Sequence, residues 1–438
     1  MHFDYGSQQL AGIEHIRNAE PFSMRKNIFP VFLLGFFMAF SLPAGASRPI
    51  TVAQLEQKLS DAYTAHKEDS EVAKKIGNVQ LTERLTGSTL DRLTAKLSPG
   101  PLAKLALQLL ADQSSFLDPP ASELPANPPP DAAAQAHLLA LARGYVVEAL
   151  SRLPNLFATR TTFRFDDSPQ VLKVNEWPIR AGLHMVAHTS REITFRDGKE
   201  IVTPLHSSAS TSDSSEPELG MQASGEFGPD LVVVMTDSAN GKVDWSHWEV
   251  GSAGPLAVFR YAVPRSASHY AVSYCCIRDT SAQSASSRGG RRGGRSNIQT
   301  IENSHPFKDT PGYHGYIAVD SASGVILRIT IEAEFKVGDP LDQASSVVQY
   351  GPVVLGNRRS ICPLASMTFT QEHIDAGSTV PPNGTIRVLN ETTFTHYQRL
   401  GSTVRMIPNA AENNGAAPSQ TAPPASDSGS AGSAAPAK

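Results

Sequence analysis

The sequence predicts an α+β protein in which an N-terminal helical segment precedes a large, curved, half-barrel-like antiparallel β-sheet. Three observations predict it. Apolar residues recur at helical spacing up to residue 153, and from 158 to about 406 they alternate with polar ones. Asp197-Gly198, Asn240-Gly241 and Gly356-Asn357 fall between apolar stretches and offer the positive φ angles of tight hairpins. Ten or so strands in one sheet must curl, split or close.

Residues 1–46 of the 438 read as a leader carrying an export signal. Met24-Arg25-Lys26 is basic, Ile28 to Leu42 is apolar, and Ala44-Gly45-Ala46 supplies small residues for cleavage before Ser47. The apolar run is shorter than the roughly 20 residues of a membrane span. Asp4, Glu14 and Glu20 do not suit a basic n-region, so a start at Met24 is one reading and an extended leader the other. Ser47 stands where a lipoprotein would carry cysteine. The mature chain is therefore expected to be soluble, without a transmembrane or lipid anchor, in the periplasm or outside the cell. A net charge of −4 gives no electrostatic case for nucleic acid.

Residues 47–118 form the helical region. Thr51 and Gln54 make a capping box, and Leu55 and Leu59 then share a face. Val72, Ile76 and Val79, then Leu90, Leu93 and Leu97, then Leu102, Leu105 and Leu109 continue the helical spacing, with a break at Ser98-Pro99-Gly100-Pro101. Residues 119–130 form a proline-rich connector, extended and outside any core. Asp131 caps a helix over 131–155 that Pro154 ends.

Residues 156–406 form the antiparallel domain. In Val325 to Lys336, Val325, Leu327, Ile329, Ile331, Ala333 and Phe335 share one face, while Arg328, Thr330, Glu332, Glu334 and Lys336 share the other, wet face. Further strands are expected over 184–195, 231–235, 242–250, 256–263, 270–275, 313–319, 347–355, 360–370 and 385–399. Loop insertions at 207–217 and 279–304 interrupt them. The 407–438 tail, rich in Ala, Pro, Ser and Gly, lacks the apolar surface to order itself.

No residue set rises to catalysis, and no cofactor or metal is implied. His184 and His188 have a zinc-like spacing, but on a strand their rings stand some 13 Å apart. In Trp245-Ser246-His247-Trp248, strand alternation sets Trp245 and His247 on one face and Ser246 and Trp248 on the other, so Ser246 and His247 are not expected to act as nucleophile and base. Sheet-face packing is the first reading of the segment and an aromatic wall of a ligand cavity the second. Serine hydrolase and phosphate-loop motifs are absent. The basic run Arg288 to Arg295 has no aromatics to stack on bases. Asp166 and Asp167 point apart in a turn. Asn383 and Asn390 begin glycosylation-type triplets. Of the three cysteines, Cys275 or its neighbour Cys276 can face Cys362. A disulfide between Cys275 and Cys362 is one reading, and three buried thiols the other.

Leu81-Thr82-Glu83-Arg84-Leu85, Phe116 to Pro120, Leu153 to Thr161, Ala257 to Tyr261 and Gly315 to Asp320 resemble a group of exported bacterial proteins without assigned activity. The β part is similar to the periplasmic lipoprotein-carrier class in Val319-Asp320 to Gly324-Val325 and in Tyr350-Gly351-Pro352-Val353 leading to Cys362-Pro363-Leu364. That resemblance implies an open curved sheet over an apolar cavity. The first expectation is thus a non-enzymatic binder or carrier of a lipid or acyl chain. An envelope structural or protein-interaction module is the alternative. A hydrolase comes third, and it needs His184, His188, His247, His269 or His314 to converge.

Overall fold

A computed structural model describes residues 48–168, 182–204, 220–221, 225–252, 254–278, 304–373 and 385–400. The expected export signal, the 207–217 insertion, the basic run and the 407–438 tail lie outside the described residues. Among the described residues, no helix is long and apolar enough to cross a membrane.

Helices α1 (Val52–Thr64), α2 (Asp69–Gly77), α3 (Gly87–Leu97) and α4 (Pro101–Gln113) follow the apolar spacing. The capping box is present at Thr51 and Gln54. Short helices need a common core. Val52, Leu55, Leu59, Val72, Ile76, Leu93, Ala103 and Leu107 supply it. Asp69 caps a helix other than its own, since its carboxylate accepts from the N–H groups of Leu102 (2.9 Å) and Ala103 (3.1 Å) at the start of α4. The Ala121–Glu123 turn of the connector is pinned by Glu123, which accepts from the hydroxyls of Thr86 and Thr89. Pro119 and Pro120 are buried, so the connector begins inside the packed body rather than outside it. Asp131 caps α5 (Ala132–Arg152) through the N–H of Ala134 at 2.8 Å.

The strands are β1 (Leu156–Asp166), β2 (His184–Arg196), β3 (Lys199–Pro204), β4 (Gly220–Met221), β5 (Lys242–Val250), β6 (Pro255–Val263), β7 (Val272–Arg278), β8 (Ser304–Asp309), β9 (Gly312–Asp320), β10 (Ile326–Glu334), β11 (Leu341–Leu355), β12 (Arg358–His373) and β13 (Thr385–Arg399). Ten of them form one antiparallel sheet in the order β3-β2-β1-β13-β12-β11-β10-β9-β6-β5. The sheet is open, with β3 and β5 as its edges. Strands β4, β7 and β8 form a second small sheet.

Helices cover both faces of the large sheet. On one face, Phe259, Tyr261, Ile317 and Ile329 pack with Leu138, Ala142 and Val146 of α5 and with residues of the small sheet. On the other, Leu109 of α4 and Phe116 pack with Phe165, Val347, Phe369 and Leu389.

Asp197 (φ +52°) and Gly198 (φ +76°) turn β2 into β3, and Gly356 (φ +65°) turns β11 into β12, as the dipeptides predict. Three expectations are corrected. Residues 231–235 are not a strand but part of helix α6 (Pro229–Asp237), because Leu231, Val234 and Met235 recur at helical spacing behind a proline at its first turn. Asn240-Gly241 therefore leads from helix to strand and closes no hairpin. In β10 a register shift between Ile326 and Arg328 moves Leu327 to the opposite face and gives its core place to Ile326. The alternation holds from Ile329 onward.

Candidate functional site

The same device shapes edge strand β5. Trp245 pairs with Phe259 and His247 with the next residue back, Val258, so one extra residue, Ser246, is taken up in a bulge. The faces then regroup. Trp245 and Trp248 pack together on the core side, with ring centroids 4.9 Å apart. His247 and Glu249, opposite Val258 and Leu256, take the other side.

The bulge overturns the strand-alternation argument against Ser246 and His247. Ser246 Oγ and His247 Nδ1 are 2.9 Å apart, and His247 Nε2 lies 2.9 Å from Glu249 Oε1. A carboxylate only accepts, so in the neutral ring Nε2 donates to Glu249 and Nδ1 accepts the Ser246 hydroxyl.

Glu249 is itself held from two sides. Arg328 of β10 donates to both its oxygens, at 2.9 and 2.8 Å, and Arg84 from the helical region donates to Oε1. Burial opposes the charge on Glu249. The field of Arg328, the bonds from His247 and Arg328 and the field of Arg84 outweigh it, holding the carboxyl far below the usual carboxylate range.

In front of this network lies a cleft of about 340 Å³ lined by Asp118, Leu124, Asp244, Trp245, Ser246, His247 and Arg260. Asp118 and Leu124 come from the stretch after α4, and the rest from β5 and β6. Arg260 ties the walls together through Asp118 and the Tyr316 hydroxyl, both at 3.0 Å, and its guanidinium lies 5.3 Å from the Tyr316 ring centroid. The Trp248 indole donates to the carbonyl of Pro128 at 2.9 Å, fastening the connector beside the cleft.

The other histidines do not converge here. His184 lies 3.7 Å from Asp166, and His188 packs on Phe163. His269 bonds Asp237 at 2.6 Å, and His314 bonds Glu334 at 3.1 Å. His247 and His314 pair with positions four residues apart on β6, roughly 13 Å at strand rise. No group of three or more metal-ligating side chains is placed to hold an ion among the described residues.

The proposed disulfide is corrected. Cys362 is a free, fully buried thiol packed with Leu156, Ile193 and Phe394 of the large sheet. Cys275 is disulfide-bonded but belongs to the small sheet, and not to Cys362. Asp166 bonds Ser168, whereas Asp167, with 0 % of its surface exposed, accepts from the Arg387 guanidinium at 2.9 Å. Asn390 is half-buried within hydrogen-bond reach of Thr368.

No family model, curated protein or solved structure matches this chain.

Proposed function

We propose that the chain is a binding protein, acting outside the cytoplasm, whose ligand site is the cleft between the 118–124 stretch and the β5 edge. The observation that carries this reading is the cleft of about 340 Å³, into which two layers of the fold bring Asp118, Asp244, Ser246, His247 and Arg260. Ligand pockets run from roughly 300 Å³ upward, so the ligand is small. Two carboxylates against one guanidinium favour a neutral or cationic ligand rich in hydrogen-bonding groups. The location rests on the signal pattern from Met24 to Ala46.

A carrier of a lipid or acyl chain has weaker support. The protein's own side chains occupy the apolar face of the sheet, from Phe259 and Tyr261 to Val348 and Tyr350. The space beside Tyr145, Phe227, Tyr350 and Ile361 measures about 20 Å³, room for about one water.

Native mass spectrometry of the mature protein from its own host tests the reading. A small polar species retained by the wild type and lost in Asp244→Arg is expected. A bound lipid, or no bound species at all, overturns it.

A further inference from the structure

The sequence Ser246-His247-Trp248-Glu249 lacks any hydrolase signature, yet the fold sets a hydroxyl, an imidazole and a carboxylate in hydrogen-bonded series. We infer that Ser246 is a nucleophile for acyl transfer with His247 as its base, and that the cleft takes a small, uncharged carboxylic ester. The inference rests on the reading of this cleft as the ligand site.

Three features carry it. The first is the order of the bonds. An activated hydroxyl needs a base within about 2.6–3.2 Å and a third group that orients the base, and both distances here are 2.9 Å. The ring is turned about, with Nδ1 toward the serine and Nε2 toward the carboxylate. Either imidazole nitrogen can serve as the base once the other is committed as donor.

The second is the fixing of the orienting group. Glu249 does not face the substrate. It is a positioning residue locked by Arg84 and Arg328, with side-chain exposures of only 12 % and 18 %. The third is that Ser246, His247 and a cationic donor, Arg260, line one cleft. The two hydrogen bonds of Arg260 to Asp118 and Tyr316 both leave from Nη2. Nη1 and Nε keep N–H groups for an oxygen that becomes negative.

The chemistry balances with water as the only co-reactant. Ser246 Oγ bonds to the ester carbonyl carbon while its proton passes to His247 Nδ1. The ester C–O bond then breaks, and the departing alkoxide takes that proton as an alcohol. Water repeats the attack on the acyl-serine, giving one proton to His247 and thence to Ser246 Oγ, and leaves as the carboxylic acid. The two aspartates on the cleft wall disfavour anionic esters.

The test treats the folded mature protein with a fluorophosphonate probe, maps the adduct by peptide mass spectrometry, and follows hydrolysis of p-nitrophenyl acetate. The probe's phosphonyl group is expected on Ser246 Oγ, with fluoride as the leaving group. Hydrolysis should fall on the order of 100-fold or more in both Ser246→Ala and His247→Gln. Thermal unfolding verifies that both variants fold. A folded wild type without an adduct at Ser246, or equal labelling in His247→Gln, overturns the inference. If the wild type carries no adduct while native mass spectrometry still finds a polar species on Ser246→Ala, the nucleophile falls and the binding reading stands. If neither adduct nor bound species is found, both fall.

Discussion

Arg84 of the helical region and Glu249 of edge strand β5 form an ion pair between the two layers, although 165 residues separate them in the chain. Both side chains are only 12 % exposed, and Arg328 completes the cluster from β10. The pair joins the wall of the cleft to the strand that carries Ser246.

Removing the carboxylate leaves two poorly exposed guanidinium groups without their counter-charge. Glu249→Ala is expected to lower stability by about 3–5 kcal/mol, the usual cost of breaking a buried pair from one side. Urea unfolding measures it. Arg84→Met keeps the Arg328 partner in place and should cost less than Glu249→Ala.

Two carboxyl groups bend the pH dependence in opposite directions. Glu249 is held below its ordinary value of 4.5, so its contribution is present above that pH and is lost as pH falls below it. Glu200 is pushed up to about 7 by burial and then by the charge of Glu226, against the N–H groups of Phe227 and Gly225 that favour its ionised form. Its contribution is full below the ordinary value and is lost as pH rises through about 7. Urea midpoints from about pH 4 to 9 should show this fall between the ordinary value of 4.5 and about 7 in the wild type, a levelling off above it, and a reduction of the fall in Glu200→Gln.

Gly100 makes room for the Asp69 cap. A Cβ there would stand 2.4 Å from the Asp69 carboxyl carbon, so Gly100→Ala must push the carboxylate off the N–H groups of Leu102 and Ala103. The expected cost is about 1 kcal/mol, that of a lost cap, read as a fall in the thermal midpoint. In an Asp69→Ala background the same substitution should cost much less, and a double-mutant cycle would reveal that coupling.

The thiol of Cys362 is pushed up to about 12 by burial. Only the thiolate attacks alkylating reagents. In the folded protein at neutral pH, iodoacetamide should leave Cys362 unmodified, and it should alkylate the residue once urea unfolds the chain. Mass spectrometry of the peptide distinguishes the two states.

Features written in neighbouring residues were legible in the sequence. The Thr51–Gln54 box, the Asp131 cap and the Asp197-Gly198 turn each depend on groups within a few positions, so spacing predicts them. The alternation from Ile329 to Phe335 was legible for the same reason. The site was not. A bulge leaves no mark in composition, and Trp245 to Trp248 reads as a regular strand until Phe259 and Val258 are known to pair with Trp245 and His247. The partners of Glu249, Arg84 and Arg328, come from elements that only the tertiary fold brings together. Residues 231–235 misled because five apolar or β-branched residues in a row suit a buried strand as well as a short helix. Cys362 misled because a cysteine behind an export-type signal pattern suggests a partner that burial in the main core denies it.

The bulge at Ser246 gives β5 one residue more than its pairing with β6 needs. A chain shortened by that one residue would retain both tryptophans, the histidine and the glutamate. Its pairings of Trp245 with Phe259 and of His247 with Val258 would stand and each neighbour would keep its face, because adjacent residues of a regular strand alternate just as the bulge now lets Trp245 and His247 do. Only the hydroxyl that reaches His247 Nδ1 would be gone. An alignment of related chains with a gap at this position would therefore match every face of β5 while joining strands with and without that hydroxyl.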